Sequence, residues 1–258
     1  LTSSSAFSLA RRLRAGEPVF CGWSVLGAPI VSETLAREGF SAVAIDMQHG
    51  LWDVAAAADA IAAIHHAGAA PLLRVPAGDY AMASRALDFG AQGVIAPMID
   101  SAADARAFVG AAKYPPLGGR SWGPMRATML TGIDQKYYLQ AANALTVTFA
   151  MIESRAALDN LDAIARTDGI DGLFLGPSDL SIALSQGDYL DPHAKEVEDG
   201  LDQMAAAARK AGKIAGAYCR NAERALALKK RGISFLAIGS DLNLLRAGIA
   251  AEMKILKS

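Results

Sequence analysis

Two acidic residues stand at the ends of two apolar runs. Glu153 closes the run 147–152, and Asp179 follows the run 173–176 after Pro177 and Ser178. A continuous apolar run bounded by turn residues is the pattern of a strand buried on both faces, and such strands are usually parallel. Between the two runs, Ala156, Ala157, Leu158, Leu161, Ile164 and Ala165 recur at helical spacing, giving strand, helix, strand and bringing both carboxylates to one rim of a sheet. Two hard oxygen ligands with no cysteine or histidine pair nearby suit a divalent ion such as Mg2+ or Mn2+. Capping of the two following helices is the competing role, and spacing alone leaves both open.

Other groups with chemistry fall at the same predicted rim. Asp46 ends the run 42–46, and His49 lies three residues on, where a histidine beside a carboxylate serves as acid or base, or simply bonds loop backbone. Arg74 lies within the apolar run 71–75. A buried arginine needs an anion, either a strand acid such as Asp46 or a substrate carboxylate or enolate oxygen. Gly176, Pro177, Ser178 and Asp179 open a helix whose first amides offer an anion site. His65, His66 and His193 read as surface or loop residues.

The elements that must position these groups alternate along the whole chain. Strand patterns fall at 19–23, 42–46, 71–75, 93–97, 147–152, 173–176, 214–218 and 235–239. Helical patterns fall at 29–38, 54–67, 80–89, 101–112, 156–166, 194–211, 222–231 and 242–256. Eight such units on one core make an α/β fold, the (β/α)8 TIM barrel, and 258 residues suit a single barrel domain over 1–258. Two longer connections, 113–144 and 181–192, are expected as loops at the rim of Glu153. The first, with Arg120, Trp122 and Arg126, is expected to contact the acceptor end of a substrate.

Composition excludes other classes. The chain is 52% hydrophobic, and 25 basic against 26 acidic residues leave a net charge of −1, so no surface is built for nucleic acid. No segment has the length and apolarity of a membrane span, and Cys21 and Cys219 lie in apolar runs as reduced thiols would. A cytoplasmic protein is expected, with no membrane partner. No lysine falls in the eight strand cores, so a Schiff-base mechanism is not expected.

The motifs 46–50 (DMQHG), 73–76 (LRVP), 87–93 (LDFGAQG), 96–98 (APM), 113–116 (KYPP), 152–154 (IES), 158–161 (LDNL) and 171–181 (DGLFLGPSDLS) run in order over nearly the whole chain. Together they resemble the HpcH/HpaI family of class II, pyruvate-dependent aldolases. The resemblance implies a carbon–carbon lyase that reversibly cleaves 4-hydroxy-2-oxo acids to pyruvate, or hydroxypyruvate, and an aldehyde. It implies Glu153 and Asp179 as ligands of a divalent metal (Mg2+, Mn2+ or Co2+), Arg74 as the group holding the keto oxygen and enolate, and His49 as the proton-transfer histidine. It also implies Asp46 and Asp88 as acids that position His49 or water, Asp88 acting across a subunit boundary. Trp23 is implied as a pocket wall, and the amides of Gly176–Asp179 as the carboxylate site. A homo-oligomer is implied, a hexamer built as a trimer of dimers, with the last helix packed on a neighbour. Gln48 and Met151 depart from the family pattern, which more often has glutamate and glutamine there. A citrate-lyase-like acyl-CoA lyase and a non-catalytic metal-dependent 2-oxo acid binding protein are the alternatives.

Overall fold

The computed structural model describes residues 7–257. The elements run α1 (Leu9–Arg14), β1 (Val19–Ser24), α2 (Pro29–Arg37), β2 (Ala42–Asp46), α3 (Val54–His66), β3 (Ala70–Arg74), α4 (Tyr80–Phe89), β4 (Gly93–Ala96) and α5 (Ala102–Ala112). They continue with α6 (Met125–Thr131), α7 (Gln135–Leu145), β5 (Val147–Ile152), α8 (Arg155–Asp159), α9 (Leu161–Ala165), β6 (Gly172–Leu175) and α10 (Pro177–Leu184). The last are α11 (Lys195–Lys210), β7 (Ile214–Cys219), α12 (Ala222–Lys230), β8 (Phe235–Ile238) and α13 (Asp241–Leu256). The eight strands are parallel and close in order, β8 pairing with β1, as a (β/α)8 barrel.

The strands read as continuous apolar runs because each is covered on both sides. Alternate residues divide between two cores with the two-residue period of a strand. Val43, Ile45, Leu73, Val94, Ile152 and Leu175 face the helices, while Cys21, Ala44, Leu72, Phe149, Phe174 and Phe235 fill the barrel. Phe149 stacks on Phe235 with ring centroids 4.7 Å apart. The barrel is therefore solid below its C-terminal rim, and any cavity must lie above this layer.

Four features differ from the sequence expectation. Helix α1 was not expected; Leu9, Ala10 and Leu13 plug the N-terminal end, and the Leu9 N–H donates to Gln92 Oε1 at 3.1 Å. The pattern 156–166 is two short helices broken at Asn160, whose side chain donates to the Asp100 carbonyl at 2.9 Å. The expected loop 181–192 is helical as far as Leu184.

The largest difference concerns 113–144. It contains α6 and α7 and lies at the N-terminal end, opposite Glu153, because α5 has already carried the chain back down from β4. Buried Lys113 fixes it there, donating from Nζ to Thr146 O at 2.9 Å and Asp171 Oδ2 at 2.7 Å, residues that immediately precede β5 and β6. Arg120 pairs at 2.5 Å with Asp88 in the last turn of α4. Arg120, Trp122 and Arg126 therefore do not reach the rim of their own barrel where Glu153 lies.

Candidate active site

Strand parity determines which rim residues meet. Trp23, Asp46, Arg74, Met151 and Tyr218 share the inward parity of the buried layer below them. They line, with His49 and the segment 176–179, a cavity of about 270 Å3 at the C-terminal mouth. Glu153 is the next inward residue after Met151, behind Gly176: a Cβ added at Gly176 would lie 2.4 Å from Glu153 Oε2. Only glycine leaves that carboxylate its space.

Asp46 is the hub. The register pairs it with Arg74 across β2 and β3, and Arg74 binds it bidentately, Nε to Oδ1 at 2.9 Å and Nη2 to Oδ2 at 2.7 Å. Trp23 Nε1 donates to Oδ2 at 3.1 Å, and the main-chain N–H groups of Gln48 and His49 donate to Oδ1 at 3.1 and 3.3 Å. Burial by itself would raise this carboxyl, but the hydrogen bonds and charge of Arg74, with the other donors, hold it below its ordinary value. The strand-acid reading of Arg74 is thus the arrangement present, and it occupies one edge of the guanidinium. Nη1 is left with only a weak acceptor, Met151 Sδ at 3.9 Å, and the guanidinium lies 5.0 Å over the Trp23 ring. That spare edge can meet a substrate oxygen.

Asp46 holds His49 through the main chain. Among the described residues no carboxylate bonds the imidazole, which is exposed at the rim. Asp88 is not in this group: it lies at the far end of the barrel, bound by Arg120. The side-chain amide of Gln48 has a buried Oε1 without a hydrogen-bond partner.

The capping reading fails for Glu153, since Ser154 caps α8 by accepting from the Ala157 N–H at 3.0 Å. Glu153 is instead buried, 2% exposed. Its Oε1 accepts from the Met98 N–H at 2.8 Å, and its Oε2 has no partner. Met98 adopts φ +54, a region rarely used by a residue with a side chain, at the turn that aims its N–H at Glu153. Burial pushes the Glu153 carboxyl up to about 7; the Met98 hydrogen bond opposes this, and the charge of nearby Asp179 adds to it. Asp179 is exposed in the first turn of α10 and makes no hydrogen bond within the described residues. A buried carboxylate oxygen without a donor, facing a second carboxylate, fits a cation. Among the described residues no third acid, histidine or cysteine joins them. Two carboxylates that leave the remaining positions to water or substrate oxygens are the donor set of an Mg2+-like ion.

Tyr218 and Met98 were missed from the sequence. Tyr218 meets Trp23 edge to face at 5.6 Å, and its inward parity in β7 was a usable signal. Met98 offered none, because its contribution is a main-chain N–H. Asp241, also missed, accepts from Ser24 Oγ at 2.9 Å and from the Val25 and Leu26 N–H groups at 3.0 and 3.1 Å, tying the loop after β1 to α13.

Residues 20–247 match the family model described as HpcH/HpaI aldolase/citrate lyase. The chain is 38% identical to a hydroxypyruvate/pyruvate aldolase of Rhizorhabdus wittichii over 232 residues, covering 90% of this chain and 91% of that protein. It is 33% identical to a 5-keto-4-deoxy-D-glucarate aldolase of Salmonella arizonae, covering 88% and 87%. A crystal structure of an HpcH/HpaI aldolase/citrate lyase family protein from Burkholderia cenocepacia superposes with a TM-score of 0.89 at 31% identity, covering 98% of this chain and all of that one, 100%.

Proposed function

The chain belongs to the HpcH/HpaI aldolase/citrate lyase family, and from that premise we propose that it is a metal-dependent aldolase cleaving 4-hydroxy-2-oxo acids to pyruvate or hydroxypyruvate and an aldehyde. The observation that carries the metal dependence is the unpartnered, buried Glu153 Oε2. Glu153 and Asp179 would hold Mg2+, Mn2+ or Co2+, which when bound supplies Lewis-acid polarisation of the 2-oxo group.

The chain's own residues supply the rest. The first amides of α10, at Ser178 and Asp179, bind the substrate carboxylate at the positive end of the helix. Trp23 and Tyr218 form the walls that exclude water from the reacting carbons. His49 accepts the proton of the 4-hydroxyl as the C3–C4 bond breaks; the bonding pair passes to the donor fragment as an enolate, and the departing fragment leaves as an aldehyde. Arg74 donates from Nη1 to the oxygen on which negative charge develops, while the two hydrogen bonds to Asp46 hold the guanidinium in position. Reprotonation at C3 completes pyruvate. No lysine is needed: the three donors of buried Lys113 are taken by Asn143 O, Thr146 O and Asp171 at the opposite end.

Assembly and compartment belong to the same proposal. Helix α13 leaves Leu242, Leu245, Ile249, Met253 and Leu256 exposed along one side, an apolar face suited to a second copy in a homo-oligomer such as a hexamer. The free buried thiols Cys21 and Cys219 suit the reducing cytoplasm. No helix of the described residues is long and apolar enough to cross a membrane.

The test is pyruvate release from a racemic 4-hydroxy-2-oxo acid, using protein stripped by chelator and then given each metal. Turnover that returns only with metal and is lost in Glu153→Ala supports the reading. Turnover that survives chelation and Glu153→Ala refutes it.

A further inference from the structure

Three acids are buried among the described residues: Asp46, Glu153 and Asp241. The first two serve the site, whereas Asp241, in the first turn of α13, does not line its cavity. Nor does its helix need it as a cap, because Ser240 caps α13 by accepting from the Asn243 N–H at 3.3 Å. The Asp241 carboxylate turns instead to the loop after β1, accepting from Ser24 Oγ at 2.9 Å and from the Val25 and Leu26 N–H groups at 3.0 and 3.1 Å. A buried carboxylate fixes such donors, since moving them leaves it unsatisfied. Ser24 and Val25 in turn hold the segment that follows His49. The Ser24 carbonyl accepts from Trp52 Nε1 at 2.9 Å, and the Val25 carbonyl accepts from the Leu51 N–H at 2.7 Å. Glycines let the two loops meet: a Cβ at Gly27 would lie 2.3 Å from the Leu51 carbonyl oxygen, and one at Gly50 would lie 3.1 Å from Val25 Cα. His49 therefore stands in a segment held at both ends, by Asp46 before it and by loop 24–27 after it.

Resting on the aldolase reading above, we propose that Asp241 is a positioning residue for proton transfer: it fixes loop 24–27, which through Leu51 and Trp52 sets where the His49 imidazole stands against the 4-hydroxyl group. Because no carboxylate bonds that imidazole among the described residues, its place rests on its main chain. A displacement of about 1 Å in a group that must reach one hydroxyl costs on the order of a hundredfold in rate. Glu153 and Arg74 are held by other contacts, the Met98 N–H and Asp46, so formation of the enolate does not depend on Asp241. The last helix of the barrel thus acts on the step that His49 performs and not on donor binding.

The experiment compares two reactions of the metal-loaded chain that pass through the same enolate. Cleavage of a racemic 4-hydroxy-2-oxo acid needs a base for the hydroxyl proton. Oxaloacetate instead loses CO2, the C3–C4 bonding pair passing to the enolate with no hydroxyl proton to remove. In Asp241→Asn, kcat for cleavage falls about tenfold to a hundredfold with KM within about threefold, while CO2 release stays within about twofold. Trp52→Phe removes the other end of the relay, leaves Asp241 and its donors in place, and gives the same split even where Asp241→Asn fails to fold. The double variant loses no more than the worse single one, because both contacts lie in one chain. Hydrogen exchange of the main-chain amides of 48–52 quickens in both variants while the strands stay protected. Parallel losses of cleavage and CO2 release, or unchanged cleavage in a folded variant, overturn the positioning role alone. Cleavage left intact in His49→Ala, or neither reaction in the native chain with any metal, overturns the aldolase reading and the positioning role with it.

Discussion

Replacing Glu153 by glutamine should make the metal-free protein more stable above neutral pH, although it removes a proposed ligand. The carboxyl is buried with one donor, the Met98 N–H, and one unpartnered oxygen, and its proton affinity rises from 4.5 to about 7. A group whose folded value is raised binds its proton more tightly in the native state. Its contribution is therefore complete below the unfolded value near 4.5 and is lost as pH rises to about 7. At about 1.4 kcal/mol for each tenfold in proton affinity, the loss is about 3 kcal/mol. Glutamine keeps the acceptor for Met98 and never ionises, but its amide N–H2 gains no partner, so roughly 1–2 kcal/mol of that loss should be recovered. Urea denaturation of chelator-treated protein at pH 5, 6, 7 and 8 measures it. The native chain should lose stability across this range more steeply than Glu153→Gln, and Mn2+ should close the gap for the native chain only. Parallel pH profiles for the two proteins, or equal stabilisation of both by Mn2+, would refute the account of a strained carboxylate awaiting a cation.

Three further outcomes follow from the same geometry. Asp46→Asn leaves the buried Arg74 without its counter-charge and should cost about 3 kcal/mol in denaturation, with kcat falling more than KM changes. In the native chain the stability from this pair is complete above the ordinary carboxylate range and is lost as pH falls through the lowered value of Asp46. Gly176→Ala pushes a methyl group against Glu153 Oε2 and Met151 Cε, at 2.4 and 2.7 Å, and should weaken Mn2+ binding by roughly tenfold or more in a calorimetric titration while the far-UV spectrum stays native. Lys113→Met should destabilise the chain by about 3 kcal/mol, because Asp171 loses its buried cation, yet retain metal-dependent pyruvate release below the melting range. Loss of turnover in folded Lys113→Met together with turnover retained in Glu153→Ala would refute the metal-dependent mechanism.

The eight strands and the helices that follow them were legible in the sequence because burial on both faces leaves an unbroken apolar run and each helix leaves a 3.6-residue stripe. Helix α4 matches its expected bounds, and β2 does too. The motifs were legible because Asp46, Arg74, Glu153 and Asp179 sit where such runs end. What escaped were features set by contacts distant in sequence. Periodicity locates a segment between two strands but does not say at which end of the barrel it lies, so 113–144 was assigned to the wrong rim until α5 and Lys113 fixed its side. An ion pair and a substrate fork ask the same residue of a strand, and only the register of β2 on β3 decided that Arg74 holds Asp46 with one edge and keeps Nη1 for the cavity. A main-chain donor has no signature in residue type, which is why the Met98 N–H went unseen. The sequence by itself determined which groups could act and that a barrel would carry them. The tertiary structure decided which face one another, because strand register and the return direction of each helix are properties of the closed sheet and not of any one segment.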